Sequence, residues 1–214
     1  MRRYDLVVWD WNGTLLDDVD VNIRTINILL EKRGIPPVKS REDYLDRFRF
    51  PIIDYYAELG FDVVNEDFAY IAEDYINVYR KEAEDAGLFP GTVEVLSALK
   101  AAGIRQVIVS AAEGVRLRGE VKARGIDGYF TDILGKGDNR GDGKLSLGRD
   151  FIASSGVAAE RVLFVGDMDH DAELASACGC DAVMVAMGHM SRERLEALGL
   201  TVADDIVDIV KLCV

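Results

Sequence analysis

The chain carries 214 residues, with 25 lysines and arginines against 38 aspartates and glutamates and a formal net charge of −13. That acidity, with no basic cluster to offset it, argues against nucleic acid and anionic membrane as partners, and no apolar run reaches the roughly 18 residues of a membrane-spanning helix. A hydrophobic content of 49% over this length supports a self-sufficient core, alone or with a small inserted unit.

Met1-Arg2-Arg3-Tyr4 is expected to lead straight into a strand rather than to form a secretion signal. The apolar run Leu6-Val7-Val8-Trp9 predicts a buried strand that ends on Asp10 and turns at Gly13. Residues 19 to about 86 are helical in pattern over 19–33, 41–47, 52–59 and 66–86, with breaks at Gly34-Ile35-Pro36-Pro37, Pro51 and Gly60. From Phe89-Pro90-Gly91 onward helix and strand alternate. The pattern gives helix 92–102, strand 106–110, helix 115–124, a weak strand near 131–134 and a polar, glycine-rich loop over 136–143. Helix 145–155, strand 162–165, helix 170–178 and strand 182–185 come after it. Strands separated by helices imply right-handed crossovers and a parallel sheet. The simplest architecture is α/β: a Rossmann-like core with helices on both faces, built from 1–18 and 88–214, with an α-helical cap, 19–87, inserted after the first strand. The three cysteines, Cys178, Cys180 and Cys213, are read as reduced thiols of a cytoplasmic protein. Cys178-Gly179-Cys180 has no second Cys or His pair beside it and reads as a helix end.

Four features fall at or just beyond the carboxyl ends of predicted strands, the edge where open α/β sheets bind ligands. Strand one delivers Asp10 and Asn12, and strand two ends on Ser110. The glycine-rich loop leads to Lys144, and strand four ends in Gly166-Asp167-Met168-Asp169-His170-Asp171. Singly, each has an ordinary reading: Asp10 as a turn former, Ser110 as a cap, Lys144 as a surface lysine, the three later acids as caps of the next helix. Together their chemistry is coherent. A carboxylate approaching a phosphate dianion meets repulsion of about 4 kcal/mol per unit-charge pair at about 4 Å and an effective dielectric near 20. A hard divalent cation removes it, and Mg²⁺ suits a few carboxylates, one backbone carbonyl, waters and a phosphate oxygen. In this reading Asp10 and Asp167 supply carboxylates, and Asp171, one helical turn on, holds a water of the cation. Lys144 offsets charge on Asp10 and phosphate, while Ser110 and the N–H groups near Trp11 and Asn12 bind phosphate oxygens.

In order and spacing, Asp10-Trp11-Asn12-Gly13-Thr14, Ser110, Lys144 and Gly166-Asp167-x-x-x-Asp171 resemble the four-part signature of the haloacid dehalogenase-like hydrolases. Phe89-Pro90-Gly91 resembles that family's re-entry into its core. The resemblance covers essentially the whole chain and points to the helical-cap phosphatases, phosphoglycolate phosphatase-like members among them. It implies that Asp10 is the nucleophile, forming an aspartyl-phosphate, and that the backbone carbonyl of Asn12 joins Asp10, Asp167 and Asp171 around Mg²⁺. It also places Ala111 beside Trp11, Asn12, Ser110 and Lys144 on the substrate. Lys136 competes for the third motif; Lys144 is preferred because it opens a helix, as in the family. The implied substrate is a small phosphorylated metabolite. The cap would select it, with Arg47 or Arg49 in Arg47-Phe48-Arg49-Phe50-Pro51 taking a carboxylate or second phosphate. The ordinary alternative is solvated arginines flanking core phenylalanines. His170 and His189 are read as peripheral, and both monomer and homodimer stay open.

Position 12 departs from the pattern. Phosphatases of the resembling family carry aspartate there, which protonates the leaving oxygen and then activates the water that hydrolyses the intermediate. An amide does neither, and general acid–base help is worth roughly 10²–10⁴-fold. The expectation is a phosphatase slow toward alkyl phosphates, better with aryl phosphates and strongly improved by Asn12→Asp. Two alternatives stand beside it. One is a phosphate-binding or regulatory protein with little turnover. The other is a phosphonate or haloacid hydrolase; the resembling dehalogenases do without a metal, to which Asp167 and Asp171 point, and the phosphonate enzymes keep the metal but use a cap lysine as Schiff base. The cap lysines Lys32, Lys39 and Lys81 also lie in charged surroundings, unlike an activated amine.

Overall fold

A computed structural model describes residues 3–137 and 144–214, so most of the predicted glycine-rich loop, 138–143, lies outside the described residues. The run after Tyr4 forms β1 (Leu6–Trp9), in which all four residues are buried. A strand covered on both faces has no polar side to show. The chain then forms α1 (Val19–Lys32), α2 (Arg41–Arg47), α3 (Ile52–Leu59), α4 (Phe68–Glu82) and α5 (Thr92–Ala101). Local chemistry sets several of these ends. The Ser40 hydroxyl accepts from the Asp43 N–H at 3.2 Å to open α2. Gly60 ends α3 at φ 103°, and Asp67 opens α4 by accepting from the Ala69 N–H at 2.9 Å. That cap starts α4 at Phe68, and the helix ends at Glu82, inside the predicted 66–86.

The rest of the chain alternates as expected: β2 (Arg105–Glu113), α6 (Gly114–Ala123), β3 (Asp132–Lys136), α7 (Lys144–Ser154), β4 (Val162–Gly166), α8 (Asp169–Cys178) and β5 (Asp181–Val185). Beyond β5 the chain adds three elements absent from the sequence pattern: α9 (Arg192–Glu196), β6 (Thr201–Ala203) and α10 (Asp208–Cys213). These are too short for a period to declare itself. The strands form one parallel six-stranded sheet in the order β3-β2-β1-β4-β5-β6. β1 is thus central, with Leu6 registered against Arg105 on one side and Val162 on the other.

Side-chain alternation along β1 sorts the core into two layers. Val7 and Trp9 pack with Leu96 and Leu99 of α5, Leu117 and Val121 of α6 and Ile209 of α10. Leu6 and Val8 pack on the other face with Leu147 of α7 and Leu174 of α8. A third cluster joins the helical segment to the sheet: Ile26, Leu29 and Leu30 of α1, Tyr44 of α2 and Tyr55 of α3 pack with Met168, Met184, Met190 and Leu195. Arg194 of α9 ties the same seam by donating to the carbonyls of Leu45 at 2.7 Å and Phe48 at 2.8 Å. The three cysteines are free, and α8 ends at Cys178 with Gly179 as its left-handed cap at φ 68°. Among the described residues no helix is long and apolar enough to cross a membrane.

The shared cluster makes a thermodynamic prediction. Leu29 is fully buried, so Leu29→Ala costs about 2–5 kcal/mol. The loss appears as a lower midpoint of one calorimetric transition, since the cluster belongs to α1 and to the sheet-side loops alike. Two separated transitions would show that the helical segment melts on its own.

Candidate active site

The site starts where β1 stops. The Asp10 N–H still donates to the Val165 carbonyl at 2.9 Å, which fixes the acid at the sheet edge. The chain then coils back, with the Trp11 carbonyl accepting from the N–H groups of Leu15 at 3.0 Å and Leu16 at 2.9 Å. Gly13 makes the turn at φ 71°, and a Cβ there would collide with the Asp167 carboxylate and the His189 ring. The backbone of the first loop therefore lies directly against side chains from the loops after β4 and β5.

The second loop holds its acids tightly. Asp167 accepts from the Thr14 hydroxyl at 2.9 Å and from the His189 N–H at 2.7 Å. One oxygen of Asp171 accepts from the N–H groups of Asp167 at 3.2 Å and Met168 at 3.1 Å. Its other oxygen faces the Lys144 ammonium, and His170 Nδ1 lies 3.3 Å away. Gly166 permits this, because a Cβ at that position would occupy the Asp171 carboxylate. Lys144, first residue of α7, also meets Asp10 Oδ1 at 2.6 Å. Lys144 is thus the lysine that reaches the first acid, while Lys136 closes β3 with its side chain exposed.

Electrostatics divides these groups. Burial raises the Asp10 carboxyl above its ordinary range against the pull of Lys144. Burial also pushes Asp167 up to about 7, against the pull of His189. Asp171 is held low: burial opposes its ionisation, but Lys144 and His170 outweigh it. Burial would lower Lys144, and Asp10 and Asp171 hold it protonated instead. One oxygen from each of Asp10, Asp167 and Asp171 lies within 4.8 Å of the other two, and all three residues are buried. The Lys144 ammonium pairs with Asp10 and Asp171 but not with Asp167, so three buried carboxylates crowd one pocket around a single lysine, a charge that a hard divalent cation offsets. The Asn12 backbone carbonyl accepts no backbone hydrogen bond among the described residues. The donor set fits Mg²⁺.

The remaining candidates are spread more widely. Ser110 is buried within β2, which runs past the expected end at 110 to Glu113; its hydroxyl accepts from the Ala112 N–H at 3.1 Å, and Ala111 between them is exposed. Trp11 is buried and donates its indole N–H to Glu120 at 2.9 Å. Arg47 and Arg49 both pair with Glu58 of α3. Phe50 instead makes the approach from that loop, with its ring centroid 4.8 Å from that of His170.

A second polar cluster adjoins the first, and sequence reasoning missed it. Asp18 is fully buried and accepts from the Gly13 N–H at 2.9 Å, the Asn12 amide at 2.8 Å, the Asn22 amide at 2.8 Å and the Tyr79 hydroxyl at 2.7 Å. His189 Nε2 donates to it at 3.2 Å, and His189 Nδ1 meets the Tyr44 hydroxyl at 2.9 Å. Burial alone would raise Asp18; His189, Tyr79 and Asn12 together hold it below the ordinary carboxylate range. His189, read from sequence as peripheral, is only 4% exposed and central to this cluster. An acid just before a predicted helix reads as an N-cap, yet Asp18 makes no side-chain cap bond to α1. That misleading position hid it.

With this geometry in place, comparison with known proteins is direct. A 5'-nucleotidase of Pseudomonas aeruginosa is 29% identical over 204 residues, covering 91% of this chain and 88% of its own. A phosphoglycolate phosphatase of Caulobacter vibrioides is 26% identical over 97% of this chain and 90% of its own. The crystal structure of a predicted phosphoglycolate phosphatase from Haemophilus somnus shares the fold, with a TM-score of 0.81 at 22% identity over 99% of both chains. The haloacid dehalogenase-like hydrolase family model matches residues 7–185. The buried acids at the ends of β1 and β4, the lysine opening α7 and that match agree: the chain belongs to the haloacid dehalogenase-like hydrolases.

Proposed function

We propose that this hydrolase cleaves phosphomonoesters of small metabolites, with Asp10 as nucleophile and residues 19–87 as a cap over the site. The observation that carries this reading is the Asp10 carboxylate, buried at the sheet edge, held 2.6 Å from the Lys144 ammonium and grouped with Asp167 and Asp171. The names of the Pseudomonas and Caulobacter relatives, a nucleotidase and a phosphoglycolate phosphatase, point to phosphate esters as substrates.

Asp10, Asp167 and the Asn12 carbonyl would hold Mg²⁺, with Asp171 beside them. The cation would offset the charges of acid and phosphate and orient the phosphoryl group. Asp10 oxygen attacks phosphorus, an O–P bond forms, and the ester P–O bond breaks with its electron pair leaving on the alcohol oxygen. Lys144 offsets charge on Asp10, and Ser110 with the N–H groups after Asp10 binds phosphoryl oxygens. Water then attacks the aspartyl-phosphate, which releases phosphate and restores Asp10. Asn12 has no proton to give the departing oxygen at useful acidity. Leaving groups that are stable as anions are therefore favoured, since the missing acid–base help is worth roughly 10²–10⁴-fold. The Phe48–Phe50 loop, which includes Arg49, is the part of the cap that selects substrate.

A second reading has its own observation. Both N–H groups of the Asn12 amide are taken by Asp18 and the Tyr79 hydroxyl, at 2.8 and 2.9 Å. A chain so arranged could bind phosphate and turn over little.

A phosphatase assay with and without Mg²⁺ separates the two. Aryl phosphate is expected to turn over with Mg²⁺ at least tenfold faster than an alkyl phosphate, in line with the lost acid–base help. Binding of BeF₃⁻ without release of phosphate from any ester would favour the second reading. Asp10→Asn should remove turnover of aryl phosphate down to background, and Lys144→Ala should lower kcat by roughly 10²–10³-fold, the usual cost of a charge-stabilising donor. Undiminished turnover in Asp10→Asn would overturn the nucleophile assignment.

A further inference from the structure

The Asn12–Asp18 contact changes what position 12 can do. Ionised Asp18 only accepts hydrogen bonds, so the Asn12 atom that faces it is the NH₂ and not the carbonyl oxygen. The second N–H of that amide goes to the Tyr79 hydroxyl. Oδ1 is then the hydrogen-bonding atom of the Asn12 side chain left for substrate or water. Asp18 also accepts from the Gly13 N–H, so one side chain fixes both the backbone turn and the amide beside the nucleophile. Its other donors come from three directions: Asn22 on α1, Tyr79 on α4 and His189 after β5, itself joined to Tyr44 on α2.

We propose that Asp18 is a positioning residue for the phosphatase reaction, locked to Asn12 as a complementary acceptor–donor pair, so that an acid enters position 12 usefully only when position 18 becomes an amide. The proposal rests on the phosphatase reading for its catalytic consequence, while the pairing itself is read by stability. Asn12→Asp alone removes the donor and sets two carboxylates face to face in a buried cluster already closed by Tyr79 and His189. The chain answers by displacing the Gly13 turn or the Asp18 side chain, and both adjoin Asp10. Exchanging the two restores the contact between them: asparagine at 18 donates to aspartate at 12 and keeps an oxygen for the Gly13 N–H, while the Tyr79 hydroxyl turns to accept and the Asn22 amide loses one acceptor.

On this proposal Asn12→Asp by itself does not improve the enzyme, the opposite of the sequence-based expectation. The test is a cycle of the parent, Asn12→Asp, Asp18→Asn and the double variant, with the melting midpoint and the kcat and KM for alkyl and aryl phosphates under Mg²⁺. Each single variant should lower the midpoint by about 5–10 °C, as loss of a buried charge's partner does in a chain of this size. The double variant should recover part of that loss and lie above the sum of the two single losses. Asn12→Asp should not raise alkyl-phosphate turnover, whereas the double variant should raise kcat roughly a hundredfold above the parent, the lower end of restored acid–base help, with KM nearly constant. Additive midpoint losses, or a gain in Asn12→Asp alone with an unchanged midpoint, would overturn the pairing. If Asn12→Asp yields no folded protein, recovery of folded protein in the double variant supports the pairing, and failure to recover it overturns it. Should no variant hydrolyse any phosphate, the phosphatase reading falls and the catalytic half of the proposal with it, while the midpoint cycle still decides the pairing.

Discussion

Four carboxylates buried within one cluster of loops, Asp10, Asp18, Asp167 and Asp171, set the condition that the surrounding chain must meet. A buried carboxylate stands only where donors or cations answer it, because desolvation otherwise drives it neutral. The four are answered in different ways. Asp171 takes two backbone N–H groups and the Lys144 ammonium. Asp18 takes five donors from four segments. Asp10 and Asp167 are left least satisfied, and burial raises both. Asp18 and Asp171 are thus answered more fully than Asp10 and Asp167.

The architecture was legible because the strands and helices announce themselves by period and by their glycine stops. β1 and β4 are near-continuous apolar runs, and the acids at their ends fall on one sheet edge once the crossovers are taken as right-handed. The position of Lys144 was legible for the same reason, since it opens a helix after a strand on that edge. What stayed hidden depends on contacts between distant segments. Asp18 looks like a helix cap, Tyr79 like one more aromatic on a helix face, and His189 like a loop residue. Only the folded chain brings positions 18, 79 and 189 onto one carboxylate. Arg49, read from sequence either as a substrate contact or as a solvated arginine, is paired with Glu58 of α3, a contact between segments that the sequence does not show.

The aromatic lining above the site follows from the same economy of space. Tyr44 stacks on Phe48 with centroids 5.0 Å apart, and Phe48 lies 5.4 Å from the His189 ring. These rings carry the helical segment down onto the loops that hold the acids. Tyr44 and Tyr79 then turn their hydroxyls to His189 and Asp18. Apolar packing and polar satisfaction are thus met by the same side chains, which present an apolar body and a polar tip.

The apolar seam between the α1–α3 helices and the sheet-side loops also constrains motion. A lid that swings open about two linkers would bring Met168, Met184 and Met190 into water together with the leucines of α1. Thioether side chains are flexible and tolerate altered neighbours. A seam lined by them admits small sliding displacements at little cost, the shear class of domain movement rather than the hinge class. Relative movement at this seam is therefore expected to slide helices over methionines rather than to lift them away.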